Sequence, residues 1–459
     1  MTDTEASTEA ETQPRLQPGG TPEAPPMAWY AVGILTVAYT FSYIDRQILS
    51  LMVGPIRADL GISDSAFSVL HGLAFALFYT LLGIPIGRLA DRTNRRNIIA
   101  LGVAFWSLAT VCCGLVRSFW QLFAARVAVG VGEAALSPAA YSMLADLFPK
   151  EKLGRAIGIY SSGVFVGIGL SFIIGGVLIA TIEAMGGLTL PVVGHLAAWQ
   201  ATFVIVGAPG LLVALFMLTL KEPERRGRGD LVGSMPVSEV IAYAVRNRRV
   251  YALHFVGFAM ITLMFNGIMA WAAEYFIRIH GVDRGAIGPQ LGLLTVFFGG
   301  AGIICGGLFS DWLSARGHTD APVKAALTGA ICLTPVAVTA TLVPDPRLSL
   351  FLFAPVLFFS SFPFGPAAAG LQLMTPPAMR AQMSAVYLFV VNLTGIGFGG
   401  TATALVTDFV FRDDMMLHWS IATIALVGGI LSIVLLTLAQ RPFRRTIAEL
   451  SVRPEAAAS

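Results

Sequence analysis

Twelve long apolar runs are the feature of this sequence that most constrains its fold. Each contains about 20 or more residues, enough for an α-helix to cross a hydrocarbon core about 30 Å thick. Only 12% of the residues are charged, about half the share found in soluble domains (~25%). We therefore predict an all-α membrane protein with twelve transmembrane helices, numbered 1 to 12 in chain order, at about 28 to 52, 66 to 88, 97 to 117, 119 to 140, 155 to 181, 199 to 220, 250 to 278, 286 to 310, 322 to 343, 349 to 372, 382 to 407 and 417 to 440.

The polar segments between these runs predict how the chain is divided. Residues 1–26 are acidic and lack the basic start and apolar core of a cleaved secretory signal, so we expect a disordered tail. The longest internal polar stretch, 221–249, separates six runs from six and contains six arginines. We predict an N-terminal half at 27–220, a cytoplasmic linker at 221–249, a C-terminal half at 250–440 and a C-terminal tail at 441–459.

The distribution of basic residues predicts the orientation of the chain. If the N-terminus is cytoplasmic, the cytoplasmic segments hold 22 lysines and arginines and the external loops hold six. Cytoplasmic loops of membrane proteins carry this excess of positive charge. We expect both termini in the cytoplasm and the protein in a bacterial inner membrane.

A repeated loop indicates that the two halves are related. Residues 87–92, GRLADR, follow helix 2, and residues 307–312, GLFSDW, follow helix 8, so that Asp91 and Asp311 lie 220 positions apart. Equivalent loops in two six-helix units are typical of a parallel duplication about an axis normal to the membrane.

Several motifs resemble those of a known family. Residues 87–97, GRLADRTNRRN, resemble the signature loop of the major facilitator superfamily, with Asn94 in place of a glycine. Within that superfamily, three stretches resemble the spinster-like lipid transporters: YIDRQILS at 43–50, RVAVGVGEAALSPAAYSMLADLFP at 126–149, and TPPAMRAQMSAVYLFVVNLTGIGFGG at 375–400. The first also resembles organic-anion symporters.

The resemblance implies a fold and a set of gating residues. The expected fold has two six-helix halves around a central cavity, with helices 1, 4, 7 and 10 along the transport path. In the family, the aspartate of the signature loop caps a neighbouring helix and pairs with a cation when the inner side is closed. By this resemblance we expect gating roles for Asp91, Arg92, Arg95 and Asp311.

Four charged residues fall inside the apolar runs of helices 1 and 4: Asp45, Arg46, Arg126 and Glu133. A charge near the bilayer centre costs at least ~2.5 kcal/mol, and such residues are usually functional. Asp45 and Arg126 can lie at one level, and Glu133 lies two turns further along helix 4. We predict that Arg126 pairs alternately with Asp45 and Glu133 and so couples protons to transport; the alternative is a static salt bridge.

The same inspection gives candidate substrate contacts and packing surfaces. A guanidinium suits phosphate or carboxylate, so Arg46 and Arg126 are expected to bind an anionic group, together with Tyr39, Met264, Asn266 and Met269 by analogy. We expect Glu274, near the end of helix 7, to be solvated. Gly163, Gly167 and Ser171 share one face of helix 5, and we expect that face to form a close-packed surface between the halves.

These observations predict a proton-coupled transporter of an amphiphilic, lipid-like substrate such as a lysolipid or sphingoid compound, working by alternating access. The alternatives are a proton symporter for small organic anions such as sugar acids and, from another class, a lipid scramblase. The expected partners are protons, an amphiphilic or anionic small molecule and membrane lipids, without nucleic acid, and the chain is expected to be monomeric. No enzymatic motif, cofactor or metal site is predicted, since the four cysteines lie in apolar runs without metal-binding spacing.

Overall fold

A computed structural model describes residues 26–191, 193–225 and 236–456. This part of the chain contains twelve helices long and apolar enough to cross a membrane, which confirms the predicted all-α membrane fold. Their bounds are Met27–Leu51, Asp64–Ala90, Arg95–Cys113, Phe119–Leu147, Lys152–Ala184, Ala198–Met217, Arg248–Arg278, Arg284–Ala315, Ala321–Leu342, Pro346–Met374, Gln382–Phe411 and Asp414–Leu450. Residues 1–25 of the predicted acidic tail and residues 226–235 of the predicted linker lie outside the described part.

Several helices continue beyond the apolar runs that predict them. Helix 4 extends to Leu147, seven residues past the predicted end, and the last helix runs from Leu417 to Ala456. The predicted C-terminal tail therefore begins inside this helix. Hydropathy detects the part of a helix that lies in hydrocarbon, whereas polar residues such as Asp146 and Arg445 continue the same helix into the headgroup region.

Alternate crossing of the membrane gives the bundle two faces. Helix 1 begins and helix 12 ends on the same side, which we call the terminal face, and Tyr30 there bonds to Thr219, just past helix 6, at 2.9 Å. The other side, where helix 1 ends and helix 7 ends, is called the opposite face. Helices 1–6 form the first half of the fold and helices 7–12 form the second.

Glycines bring helices 5 and 8 together across the boundary between the halves. A Cβ atom on Gly288 would lie 2.5 Å from the backbone oxygen of Phe172 and 2.8 Å from the Cα of Gly176, and a Cβ on Gly292 would meet the backbone of Gly169. This close approach is the packing that small residues allow in membrane helices.

The face of helix 5 that we predicted for this surface lies elsewhere. Gly163 and Gly167 pack on Thr40 of helix 1, and Ser171 Oγ donates to the Ile44 carbonyl at 3.1 Å. That prediction is wrong, because this face packs within the first half. Helix 5 has glycines on several faces, and the spacing of one set does not identify its neighbour.

Breaks in helix geometry occur beside the charged residues of helices 1 and 4. Regular α-helix ends at Gln47 in helix 1 and gives way to a tighter 3₁₀ turn at Ile48–Leu51. Helix 4 consists of Phe119–Glu133 and Leu136–Leu147, so Glu133 is the last residue before its interruption. Local departures from α-helix geometry often accompany functional sites.

Two smaller elements that we did not predict complete the described fold. Strands Leu188–Leu190 and Gly194–Leu196 form an antiparallel hairpin between helices 5 and 6, with Leu188 opposite Leu196. A ten-residue helix, Val237–Arg246, lies in the segment predicted as a linker and is called the linker helix. It has one buried side, on which Val240 is 4% exposed.

Candidate functional site: buried charges between helices 1 and 4

All four charged residues predicted in helices 1 and 4 are buried. Their side chains converge within the first half, and we call them the buried cluster. The exposed fractions are 2% for Asp45, 9% for Arg46, 0% for Arg126 and 1% for Glu133. The sequence therefore identifies these four members correctly as intramembrane charges, whereas their partners depend on how the side chains pack.

Glu133 is paired with Arg46 in this structure. Arg46 Nη2 lies 2.7 Å and Nε 2.8 Å from Glu133 Oε2, and Ser42 Oγ donates to the same oxygen at 2.5 Å. The Arg46 guanidinium also lies over the ring of Phe75, at 4.3 Å, and that of Tyr79, at 4.6 Å. With the ring of Tyr43 at 4.8 Å, Arg46 is thus held by an ion pair and three aromatic faces, and its predicted contact with substrate stays a prediction.

Arg126 and Asp45 lie close together without an ion pair between their side chains. Arg126 Nη1 donates to the backbone oxygen of Asp45 at 3.5 Å, and Nε to that of Leu70 at 3.4 Å. The Asp45 carboxylate accepts a hydrogen bond from Thr110 at 3.1 Å through Oδ2. Its Oδ1 and Arg126 Nη2 have no hydrogen-bond partner in the described part of the chain. The alternating pairing of Arg126 stays a prediction, because in this structure Arg126 forms an ion pair with neither Asp45 nor Glu133.

Close packing of helix 2 on helix 4 encloses Arg126. Leu70 belongs to a wide π-helical turn, Val69–Leu73, at which helix 2 departs from regular geometry. A Cβ on Gly130, one turn beyond Arg126, would lie 2.7 Å from the Phe75 backbone oxygen. The glycine therefore permits the helix contact that keeps lipid and bulk water away from the guanidinium.

The other predicted substrate contacts have different surroundings. Tyr39 stacks on Tyr160 with ring centroids 4.5 Å apart. Met264 is fully buried and lies against Gly428 of helix 12, within the second half. Asn266 Nδ2 donates to the Thr262 backbone at 2.9 Å. Tyr39 is the member of this group nearest in sequence to the buried cluster, and the roles of all of them stay predictions.

The predicted gating residues of the first half lie at the terminal face and differ in burial and in the contacts they make. The side chain of Asp91 lies outside the described residues, and Arg92 is exposed. Arg95 is 1% exposed and bonds to Asp146 at 2.5 Å and Glu222 at 2.8 Å, which joins the ends of helices 3, 4 and 6.

In the second half, the aspartate with several contacts is not the predicted one. Asp311 is exposed. Asp320, nine residues later, is 1% exposed and pairs with Lys324 at 3.2 Å and Arg444 at 3.5 Å. The repeated loop motif finds Asp311 because it aligns sequence, whereas burial at the start of helix 9 distinguishes Asp320.

A second group of charges, missed by the sequence analysis, bridges the halves at the opposite face. We call Arg57, Asp64, Arg278 and Asp414 the opposite-face cluster. Asp64 is fully buried and bonds to Arg57 at 2.9 Å and Arg278 at 2.6 Å, and Arg57 reaches Asp414 at 2.8 Å. Both arginines are among the six basic residues assigned to the external loops, and only the fold brings Asp64 and Arg278, 214 positions apart, into contact.

Glu274 belongs to the same region and is not solvated as expected. It is 4% exposed, and its Oε1 accepts a bond from Arg278 Nε at 3.0 Å. The prediction of surface solvation is wrong because the loop charges of the first half cover this end of helix 7. Spacing of i, i+4 between Glu274 and Arg278 was the available signal.

Gln47 provides a further contact between the halves, next to the buried cluster. Its Nε2 donates to the backbone oxygen of Met269 on helix 7 at 2.7 Å and to Ser50 at 3.1 Å. Gln47 directly follows Arg46 and ends the regular part of helix 1. The end of helix 1 is thus tied to the second half within one residue of the buried ion pair.

The second half contains a small apolar pocket between helices 7, 10 and 11. Its walls are largely aromatic and aliphatic, with few hydroxyl groups, and consist of Phe258, Ile261, Thr262, Ser360, Pro363, Phe364, Ala367 and Tyr387. The first half therefore holds the buried cluster on helices 1 and 4, whereas this pocket of the second half is lined mainly by apolar groups.

Comparison with known proteins shows which family this chain matches. Residues 35–400 match the family model described as Major Facilitator Superfamily. An "MFS-type efflux pump" of Mycolicibacterium smegmatis is 27% identical over 93% of this chain and 95% of its own length. A "Probable L-galactonate transporter" of Escherichia coli is 28% identical over 64% of this chain and 63% of its own. "Protein spinster" of Drosophila melanogaster is 25% identical over 64% and 48%.

Solved structures give the same assignment of fold. A bacterial homolog of the human lysosomal transporter Spinster, in an inward-facing and unoccupied conformation, superimposes with a TM-score of 0.74 at 27% identity, over 93% of this chain and 99% of that one. The D-xylose-proton symporter, at 15% identity, gives a TM-score of 0.61 over 88% and 97%, which is a likeness of fold alone.

Proposed function

Because the chain belongs to the Major Facilitator Superfamily, whose members are transporters, we propose that it is a proton-coupled carrier of an amphiphilic, lipid-like substrate that works by alternating access. The supporting observation is that two buried and oppositely charged side chains, Asp45 and Arg126, form no ion pair in the described part of the chain. A carboxylate kept ionised away from water costs several kcal/mol unless a cation pairs with it. Asp45 has one hydroxyl donor and no ion pair in the described part of the chain, so binding of a proton removes that cost.

The proton step follows from competition for the two guanidinium groups. In the present arrangement Arg46 pairs with Glu133 through Oε2, and Arg126 Nη2 has no hydrogen-bond partner in the described part of the chain. Loss of the proton from Asp45 places a negative charge beside Arg126, whose Nη1 already reaches the Asp45 backbone. An anionic substrate group at Arg126 would compete with that charge, and this competition couples proton and substrate.

The lipid-like substrate is supported by the contrast between the halves and by relatives. An anionic headgroup suits the arginines of the first half, and the largely apolar lining of the pocket in the second half suits a hydrocarbon segment. The spinster proteins and the bacterial spinster homolog are similar to this chain in sequence or in both sequence and fold. We carry over to this chain the lipid-like cargo that the resemblance implies.

Alternating access is supported by the closure of one face. The ion pairs that bridge the halves in the described part of the chain lie at the opposite face. The described ion pairs of the terminal face each stay within one half. We propose that the terminal face is cytoplasmic, that the present state is inward-facing, and that Asp91, Arg92, Arg95 and Asp311 act when this face closes.

A sugar-acid symporter is the second candidate, favoured by two relatives. The E. coli galactonate protein and a "Probable galactarate/D-glucarate transporter" of Bacillus subtilis are 28% and 27% identical to this chain. A sugar acid offers a carboxylate for Arg46 or Arg126 but no apolar segment for the pocket of the second half.

Proton-driven uptake tests the proposal. Proteoliposomes with an imposed pH gradient receive either a radiolabelled lysophospholipid or galactonate, and a trapped pH dye reports proton entry. We expect the lysophospholipid to elicit proton movement, and Asp45→Asn to abolish it because an amide cannot exchange a proton. Glu224→Gln, an exposed carboxylate change at the terminal face, is the matched control.

Each outcome has a distinct meaning. Gradient-driven uptake of galactonate alone supports the second candidate. Lipid movement that ignores the pH gradient contradicts coupling and indicates a scramblase, and unchanged coupled uptake by Asp45→Asn removes the proposed role of Asp45.

A further inference from the structure

A polar surface pocket lies between the linker helix and the last turns of helix 12, at the terminal face. Its walls are Tyr243, Arg246, Asn247, Thr446, Glu449 and Leu450. We propose that this pocket binds the phosphate headgroup of an acidic phospholipid from the surrounding bilayer. The site is separate from the buried cluster and does not depend on the substrate.

The pocket presents donors suited to a phosphate oxygen. Arg246 ends the linker helix, and its side chain has no ion-pair partner among the described residues. Asn247 Nδ2 reaches the Tyr243 carbonyl at 3.1 Å and leaves a second amide hydrogen available. Thr446, which is 6% exposed, also lines the pocket and adds a hydroxyl donor.

Charge around the pocket favours an anion. Arg248 and Arg249, which directly follow Asn247 in the sequence, are exposed, and so is Arg441 on helix 12. Glu449 is the single carboxylate of the pocket wall, and Arg445 neutralises it at 2.8 Å. Basic residues near a membrane surface contribute about 1 kcal/mol each to the attraction of acidic lipids.

The position of the pocket favours a lipid over a free phosphate. Helix 7 begins at Arg248, and the apolar run of helix 12 ends near residue 440, so the pocket lies beyond the hydrocarbon core, at the level of the headgroups. Ile241 and Val245, one turn apart on the linker helix, are 58% and 59% exposed. An apolar strip beside arginines is the pattern of an interfacial helix that inserts into a bilayer surface.

Lipid binding to the purified protein tests the site. The protein in neutral detergent is titrated with phosphatidylglycerol, phosphatidylcholine or inorganic phosphate, and native mass spectrometry measures bound lipid while a thermal scan measures stabilisation. We expect phosphatidylglycerol to bind and stabilise more than either other compound. Arg246→Gln should weaken its binding about five-fold, the factor that one surface arginine contributes.

A second variant gives the opposite sign, which a merely structural effect would not produce. Glu449→Gln removes the negative charge of the pocket wall and should strengthen phosphatidylglycerol binding several-fold. Arg347→Gln, an exposed change on the opposite face, is the control and should leave binding unchanged. The proposal fails if Arg246→Gln binds as the unchanged protein does, if Arg347→Gln weakens binding equally, or if inorganic phosphate stabilises as well as the lipid.

Discussion

The buried cluster and the opposite-face cluster use the same residue types in different places. The buried ion pair, Arg46 with Glu133, lies within the first half, on helices 1 and 4. The pairs of the opposite-face cluster, such as Asp64 with Arg278, join one half to the other. Movement of the halves as rigid bodies leaves the first pair intact and breaks the second. Because of this difference in position, we expect the buried cluster to take part in proton binding and the opposite-face cluster to form and break as the halves move.

Solvent access also differs between the two clusters. Arg46 and Glu133 side chains are 10% and 0% exposed, whereas the Arg57 side chain is 19% and that of Asp414 51% exposed. Water reaches the rim of the opposite-face cluster, so its ions keep part of their hydration when a pair opens. The buried cluster has no such compensation, and each change there should cost more.

The largest expected effect follows from removing the cation of the buried pair. Arg46→Leu leaves the Glu133 carboxylate inside the first half with Ser42 as its remaining donor. Loss of one member of a buried ion pair costs about 3–5 kcal/mol. We expect a decrease of this size in the free energy of unfolding, measured by titration with sodium dodecyl sulfate from neutral detergent.

Two further variants isolate the cause of that loss. Adding Glu133→Gln to Arg46→Leu should recover much of the stability, because it removes the uncompensated charge. Arg445→Leu breaks an exposed Arg–Glu pair with helical spacing and should cost only about 0.3–0.5 kcal/mol. A double variant no more stable than Arg46→Leu would mean that Arg46 acts through its aromatic contacts instead.

An intermediate effect is expected at the opposite face. Asp64→Asn removes the charge shared by Arg57 and Arg278, with a loss of about 2 kcal/mol for charged hydrogen bonds. Since the bond between Asp64 and Arg278 joins the two halves, its loss should favour opening of this face. Spin labels at Ala58 and Met415, with the native cysteines replaced, should show a longer-distance population in Asp64→Asn.

The control for this experiment is a carboxylate that forms no ion pair between the halves in the described part of the chain. Glu224→Gln changes an exposed residue at the terminal face that is not among the proposed gating residues, and it should leave the distance distribution unchanged. If Asp64→Asn also leaves it unchanged, the opposite-face cluster does not hold the closed state, and other contacts such as Gln47 with Met269 do so.

The sequence predicts the spans and the intramembrane charges because both depend on composition alone. An apolar run of 20 residues and a rare charge inside it are visible without knowledge of any neighbour, as for Asp45 and Arg126. Pairing depends on helix rotation and packing. Arg46 is about 100° around helix 1 from Asp45, and only the structure shows that this direction leads to Glu133 and the ring of Phe75.

Contacts between distant segments were the least predictable part. Asp64 begins helix 2 after the cap residue Ser63, which makes it resemble an ordinary charge at a helix start. Its burial arises because Arg278, from the other half, covers it. The glycines of helix 5 gave a similar difficulty, since several faces have small residues and only the fold shows that Gly176 meets Gly288.

The smallest expected effect tests the contact between helices 5 and 8, which closes the same boundary as the opposite-face cluster without charge. On helix 8, Gly288 lies against Phe172 and Gly176, whereas a Cβ at Gly307 meets nothing within 4 Å. Both changes to alanine should gain up to ~1 kcal/mol of helix propensity. At Gly288 the clash with the backbone of helix 5 should outweigh that gain, with a net loss of about 1–2 kcal/mol.

The two substitutions should therefore change the free energy of unfolding in opposite directions, because only Gly288 has a close neighbour on another helix. Gly307→Ala should be as stable as the unchanged protein or more so, and Gly288→Ala less stable, in the same detergent titration. With the labels at Ala58 and Met415, Gly288→Ala should also increase the longer-distance population, though less than Asp64→Asn does. Equal stability of the two variants would show that helices 5 and 8 can move apart by a few tenths of an ångström without cost. In that case the charges at the opposite face, rather than the glycine contact, hold the halves together.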